Sequence, residues 1–272
     1  MSTAAEAKAA AATREIGTLK VKANLDNLKL TNMAGHLERS IRQAEENGAS
    51  YEEFLLALTD MELQIRQQNR EKRRLQEARF PLLKDLESFD FQQAPQLDRR
   101  LIGELAGGEY IDQRRNVVFL GKSGVGKSHL ATALGVEACR QNRRVRFTTA
   151  YNLVNELVEA AEEKTLSKLV GKYARYELLI VDELGYIPFS REGAEQLFQV
   201  FAERHERGSV IVTTNLGFGS WTEIFGDANL TTALLDRLTH RAHIIECAWD
   251  SYRLMQTLKE GKNRGKPLES KQ

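Results

Sequence analysis

Eight consecutive residues, Gly121-Lys122-Ser123-Gly124-Val125-Gly126-Lys127-Ser128, follow the pattern of a glycine, four residues and then Gly-Lys-Ser. Chemistry at phosphate groups asks for that order. The glycines let backbone N–H groups turn inward around an anion, Lys127 reaches the β and γ oxygens, and the Ser128 hydroxyl is suited to Mg2+. His129 follows on the helix that the loop opens, whose N-terminal partial charge adds to the attraction. The expected nucleotide contacts are therefore Gly121, Ser123, Gly124, Val125, Gly126, Lys127, Ser128 and His129. A second element, Leu178-Leu179-Ile180-Val181-Asp182-Glu183, delivers two carboxylates at the end of an apolar run. Asp182 is expected in the Mg2+ shell, and Glu183 as the group that polarises an attacking water. Thr213-Thr214-Asn215 ends another apolar run, where the Asn215 amide can orient the same water. Lys127, Glu183 and Asn215 together describe hydrolysis of ATP, not binding alone. An arginine from a neighbouring subunit completes such sites. Arg237 is the first candidate and Arg241 the second; an internal ion pair of Arg237 with Asp236 or Glu246 is the alternative.

These groups need strands that end together. From Asn116 onward, short β-branched runs alternate with helical patterns, and Val117 to Leu120, Val145 to Thr149, Leu178 to Asp182, Ser209 to Thr214 and Ala242 to Cys247 are the predicted strands. Continuous apolar runs imply burial on both faces, hence a five-stranded parallel sheet between helices, an α/β doubly wound domain. Ligands bind such sheets at the carboxyl ends of the strands, and the acid pair is expected on a strand neighbouring the one before the phosphate loop.

The first 80 residues read as a small all-α domain. Met33, Leu37, Ile41 and Ala44 recur at helical spacing and Gly48 supplies a stop. Ser50 with Glu53 is a capping box that opens a helix with Phe54, Leu55, Leu58, Met61 and Ile65 on its apolar side. That helix ends near Phe80-Pro81. The expected division is a helical domain at 1–80, a linker at 81–100, the ATPase domain at 101–260 and a basic, flexible tail at 261–272.

Hydrophobic residues make up 42% and charged residues 28%, which excludes a membrane-spanning or wholly disordered chain. The alanine-rich start lacks the apolar centre of a signal peptide, and Cys139 and Cys247 stand far apart without metal-ligand spacing. A cytoplasmic location and no membrane partner are expected. The formal net charge is only +1, so its distribution carries the information. Arg66, Arg70, Lys72, Arg73, Arg74 and Arg79 face only Glu71 and Glu77, a patch suited to phosphate backbones or to a solvated helix face.

With these residues in view the chain resembles the IstB family, ATP-dependent helpers of insertion-sequence transposition related to the helicase loader DnaC. The resemblance is carried by Tyr51-Glu52-Glu53-Phe54-Leu55, Ala78-Arg79-Phe80-Pro81-Leu82-Leu83-Lys84 and Phe89-Asp90-Phe91 before the phosphate loop. After it come Val145-Arg146-Phe147-Thr148-Thr149-Ala150, Asp182-Glu183-Leu184-Gly185-Tyr186-Ile187-Pro188, Leu197-Phe198-Gln199-Val200, Leu234-Leu235-Asp236-Arg237-Leu238 and Asp250-Ser251-Tyr252-Arg253. It implies an AAA+ P-loop NTPase that forms a homo-oligomeric ring or spiral on double-stranded DNA and recruits a cognate transposase. It also implies that Phe89 and Phe91 line the adenine pocket and that Arg253 sits near the nucleotide. Relatives usually carry proline where this chain has Lys122. Helicase loading is the alternative function.

For DNA, Lys164, Lys168 and Lys172 recur every four residues and are expected on one helix face, with Arg175 close by; Arg70, Arg73 and Arg74 form a second candidate set. A solvated surface balanced by Glu159, Glu162 and Glu163 is the competing reading of the first set. No recognition helix stands out, so backbone contact is expected in place of base reading.

Overall fold

The computed structural model of the chain describes residues 2–251, and two compact units divide after Lys72. Arg253 and the basic segment from 261 lie outside the described residues. The first unit holds α1 (Ser2–Asn27), α2 (Thr31–Asn47) and the first part of α3 (Tyr51–Ala78). Gly48 ends α2 in a left-handed conformation, φ +61°, and the Ala49 N–H returns to the Ala44 carbonyl at 3.0 Å. The capping box forms as expected: Ser50 N–H donates to Glu53 Oε2 at 2.8 Å and Glu53 N–H to Ser50 Oγ at 3.2 Å. Met33, Leu37 and Leu58 make the small core, with Leu25, Ile41, Phe54 and Met61 packed around it. Leu55, expected on the apolar side of α3, is exposed, because the stripe through Phe54, Leu58 and Met61 leaves it beyond the packed edge. The buried Glu62 accepts from the Met33 N–H at 2.8 Å and from Arg66 Nε at 2.6 Å, so α3 caps the start of α2.

The second unit begins at Arg73. Where the sequence suggests a linker over 81–100, the chain instead packs: Leu86, Phe89, Phe91, Ala94 and Leu97 lie in or against the main core. After α4 (Arg99–Ala106) and α5 (Glu109–Asp112), strands and helices alternate. In chain order they are β1 (Val117–Gly121), α6 (Lys127–Arg140), β2 (Val145–Thr149), α7 (Ala150–Glu162), α8 (Leu166–Ala174), β3 (Leu178–Leu184), α9 (Arg191–Arg204), β4 (Ser209–Thr214), α10 (Trp221–Phe225), α11 (Ala228–Thr239) and β5 (His243–Cys247).

The five strands are all parallel, in the order β2-β3-β4-β1-β5. Central strands β1, β3 and β4 are buried along most of their length, with one apolar cluster on each face. Clusters on both faces explain why these strands read as unbroken apolar runs. The acid-bearing β3 does not adjoin β1; β4 lies between them, correcting the expected adjacency.

At the edge of this core Arg204 is 1% exposed, and its hydrogen-bond partners among the described residues are backbone carbonyls. Its guanidinium donates to the carbonyls of Tyr173, Tyr176 and Ser209 at 2.7, 2.8 and 2.7 Å, binding the end of α8 to the start of β4. Burial pushes its pKa down to about 10, so the carbonyl dipoles stand in for the water that it gives up. No helix among the described residues is long and apolar enough to cross a membrane.

Candidate nucleotide site

The carboxyl ends of β1, β3 and β4 open onto one cavity of about 620 Å³. Ser123, Gly124, Val125, Gly126, Lys127, Ser128, His129, Asp182, Glu183 and Asn215 all line it, so residues from three separate runs of sequence are brought together.

The loop between β1 and α6 is held by close backbone approach. Gly126 has φ +97°, and a Cβ there would stand 2.8 Å from the Phe89 ring. At Gly121 a Cβ would come within 2.3 Å of the Cys247 carbonyl at the end of β5. Lys127 Nζ donates to the carbonyls of Gly121 and Lys122, both at 2.7 Å, which lays the ammonium across the loop. Lys122 itself is exposed and contributes only its backbone to this contact.

Asp182 is buried at the end of β3, where its Oδ1 accepts from Ser128 Oγ at 2.8 Å and from Thr213 Oγ1 at 2.5 Å. Thr213 also accepts the Glu183 N–H at 2.9 Å. Glu183 has φ +60°, and the β3–β4 register shifts between Val181 and Leu184. This irregularity swings Glu183 out of the sheet into the exposed part of the cavity while Asp182 stays buried. On this segment the sequence alone points to Asn215 and not to Thr213. Its hydroxyl was hidden among ordinary strand threonines, and only the position of β4 beside β3 reveals it.

Phe89 lines the cavity and packs edge-on against Phe91 and His129, with centroids at 4.9 and 5.3 Å. Phe91 does not reach the cavity; it sits behind Phe89, with the Arg99 guanidinium 5.1 Å from its ring centre. His129 Nε2 bonds the Asp85 carbonyl at 2.9 Å. Burial lowers the His129 pKa and nearby Lys84 acts in the same direction, against the Asp85 carbonyl and carboxylate. Trp249, just past β5, also lines the cavity, and its Nε1–H donates to the Val125 carbonyl at 2.8 Å. Nothing in its sequence neighbourhood marks it as part of a phosphate loop more than a hundred positions earlier.

Residues 23–260 match the family described as IstB-like ATP binding protein. The chain belongs to this IstB-like family. Among its relatives is the ATP-binding protein of insertion sequence IS21 from Pseudomonas aeruginosa, 40% identical over 87% of this chain and 89% of the relative. The corresponding protein of insertion sequence IS232 from Bacillus thuringiensis is 38% identical over 85% and 92%. Among solved structures, AMPPCP-bound DnaA from Aquifex aeolicus superposes with a TM-score of 0.53 at 18% identity, covering 68% of this chain and 57% of that one. DnaI superposes with a TM-score of 0.51 at 18% identity, covering 60% and 90%. These likenesses establish the AAA+ P-loop fold for this IstB-like chain.

The remaining candidates lie away from the cavity. Arg237, in the last turn of α11, makes neither of the ion pairs considered for it. Its Nη1 donates to the Ala233 carbonyl at 2.8 Å and its guanidinium stands over the Phe198 ring at 4.9 Å. Arg241 is exposed beyond α11, with φ +55°. Lys164, Lys168 and Lys172 do not share one helix: α7 stops at Glu162, Lys164 turns left-handed at φ +59°, and only Lys168 and Lys172 lie on α8. All three are exposed, as is Arg175. Arg74 is largely taken up within its own unit, bonding the Asn142 side chain at 3.1 Å and Glu77 at 3.0 Å. Arg73 pairs loosely with Glu77 at 3.9 Å, and Arg70 Nε donates to the Arg66 carbonyl.

Proposed function

We propose that this chain is an AAA+ ATPase that assembles on duplex DNA and recruits and stimulates a transposase during insertion-sequence transposition. The observation that carries the ATPase reading is the Ser128–Asp182–Thr213–Glu183 chain of hydrogen bonds beside Lys127, all facing one cavity. In the proposed reaction a water oxygen attacks the γ-phosphorus, the bond to the bridging oxygen breaks, and ADP leaves. Glu183 takes the water proton, Asn215 orients the water, and Lys127 balances charge on the phosphate oxygens. Ser128 Oγ and Asp182 Oδ1, two hard oxygens 2.8 Å apart beside the phosphate loop, fit Mg2+. Bound there, Mg2+ would screen the phosphate charges.

Arg237 makes its contacts with Ala233 and Phe198 and does not line its own chain's cavity, which supports a role toward the nucleotide of an adjoining subunit. The names of the insertion-sequence relatives favour transposition over helicase loading. Exposed Lys168, Lys172 and Arg175 on and after α8 support contact with DNA phosphates, with Lys164 beside them.

The test is phosphate release with and without duplex DNA. Glu183→Gln should retain ATP and lose turnover by about a hundredfold or more, the range for removing a general base; turnover at the parent rate refutes the assignment. Replacing Lys164, Lys168 and Lys172 by alanine should reduce the salt slope of DNA binding by about 0.9 per lost phosphate contact. An unchanged slope removes α8 from the DNA surface.

A further inference from the structure

At the amino ends of the strands, away from the phosphate cavity, lies a second pocket of about 310 Å³, lined in part by Asp112, Arg114, His205, Glu206, His240 and Arg241. Its two histidines cap helices: His205 ends α9 and His240 ends α11. Helix carboxyl ends carry partial negative charge, which favours a cation at this corner of the fold even though the last α11 carbonyls accept from Asn116, His240 and Ala242. One ligand atom from each of His205, Glu206 and His240 lies within 4.8 Å of the other two.

A tetrahedral Zn2+ with bonds of about 2.0–2.1 Å spaces its ligand atoms about 3.3 Å apart, so the three must close by about 1.5 Å at most. Side-chain rotation supplies that movement, since Glu206 and His240 are exposed and His205 is half-buried. The backbone beneath them is already set. Glu206 adopts φ +58°, and its carbonyl accepts from Arg114 Nη1 at 2.8 Å. Arg114 is thereby engaged with the turn, while Asp112 pairs with Arg143 at 2.7 Å. Arg241 adds positive charge, but its side chain is exposed and long enough to turn to solvent.

We propose that His205, Glu206 and His240 form a binding site for a divalent transition ion of the Zn2+ class, with water completing the shell. Two imidazoles and one carboxylate suit Zn2+, Co2+ and Ni2+ and discriminate against Mg2+, which prefers oxygen ligands alone. The ion ties the end of α9 to the end of α11, three residues beyond Arg237.

The test uses the full chain without an affinity tag, titrated with Co2+ in the absence of nucleotide. The expected result is a visible d–d band of a low-coordinate Co2+ site, displaced by Zn2+ but not by excess Mg2+. The band should be lost in His205→Ala/His240→Ala, which should still bind ATP. Zn2+ should also raise the melting midpoint of the parent and not of that variant. Should the double variant fail to fold, Glu206→Gln serves instead, with a weakened Co2+ titration expected. A spectrum of hexaaqua Co2+ with the parent, a band that persists in the double histidine variant, a Glu206→Gln titration as tight as the parent's, or displacement by Mg2+ overturns the proposal.

Discussion

Thr213→Val replaces a hydroxyl by a methyl group of nearly the same shape at a site that is 1% exposed. Two bonds are lost: the Glu183 N–H loses its acceptor at 2.9 Å and Asp182 loses a donor at 2.5 Å. A stranded buried N–H costs about 1–3 kcal/mol, and a hydrogen bond to a charged group contributes about 1.5–3 kcal/mol. Asp182 keeps Ser128 and Glu183 is exposed, so the lower end of each range applies and the loss is about 2.5 kcal/mol. For a unit of this size that lowers the melting midpoint by about 5–10 °C. Turnover should suffer separately. Thr213 holds the left-handed backbone of Glu183; forfeiting about 1.4 kcal/mol of that orientation in the transition state lowers kcat about tenfold. KM should change little, because the phosphate loop is untouched. Thr213→Ser, which keeps the hydroxyl, should restore kcat even where some packing is lost. Steady-state phosphate release at saturating ATP, measured below the melting range of each variant, decides the matter. A valine variant that turns over as fast as the parent, or a serine variant as slow as valine, refutes Thr213 as the group that positions Glu183.

Two further outcomes follow from the same geometry. Gly126→Ala places a Cβ 2.8 Å from the Phe89 ring on a backbone with φ +97°; strain of about 1–2 kcal/mol should weaken nucleotide binding roughly tenfold, measured by titration with a fluorescent ATP analogue. Burial holds the His129 pKa below its ordinary 6.5, so the unfolded chain takes up this proton first on acidification. Its contribution is complete above pH 6.5 and is lost as pH falls from 6.5 through the lower folded value. His243 shifts in the same direction, so the comparison is between parent and His129→Gln: as pH falls below 6.5 the melting midpoint of the parent should drop relative to that of the variant, and parallel curves count against the assignment.

The parts of the site legible in the sequence are those whose chemistry is local. The phosphate loop needs its glycines, lysine and serine in fixed succession because consecutive N–H groups surround one anion, so the pattern survives as a string. Asp182 and Glu183 are readable because an apolar strand must end before a carboxylate can be placed. The five strands were visible for a similar reason, since burial on both faces leaves unbroken apolar runs. Resemblance places Phe91 in the pocket; it directly follows Asp90, which lines the cavity, and that single step along the chain turns its ring behind Phe89. The lysine series failed for a local reason that spacing cannot reveal: a left-handed residue at 164 separates two helices. The packing of 81–97 was obscured because its apolar residues, including Leu86, Phe89 and Leu97, fall at irregular intervals with no period to detect.

Residues joined only through space are absent from any such reading, and the strand order explains which ones matter. Because β4 lies between β1 and β3, its last residues are the ones able to touch the groups on either side. Thr213 reaches Asp182 sideways, while Asn215, beyond the strand end, reaches the cavity. That arrangement depends on register: Val181 stands opposite Val212, and a slip of one residue would turn the Thr213 side chain to the other face of the sheet. At the far end of the same pair Leu178 stands opposite Ser209, whose carbonyl accepts from Arg204 at 2.7 Å while Tyr173 and Tyr176 hold the other nitrogen. A buried arginine distant from the cavity thus fixes where β4 begins, and through the strand fixes where Thr213 ends. Arg204 is a costly group to bury, and its use here follows from geometry: a guanidinium offers five donors in one rigid plane, enough to bridge α8 and β4 at once.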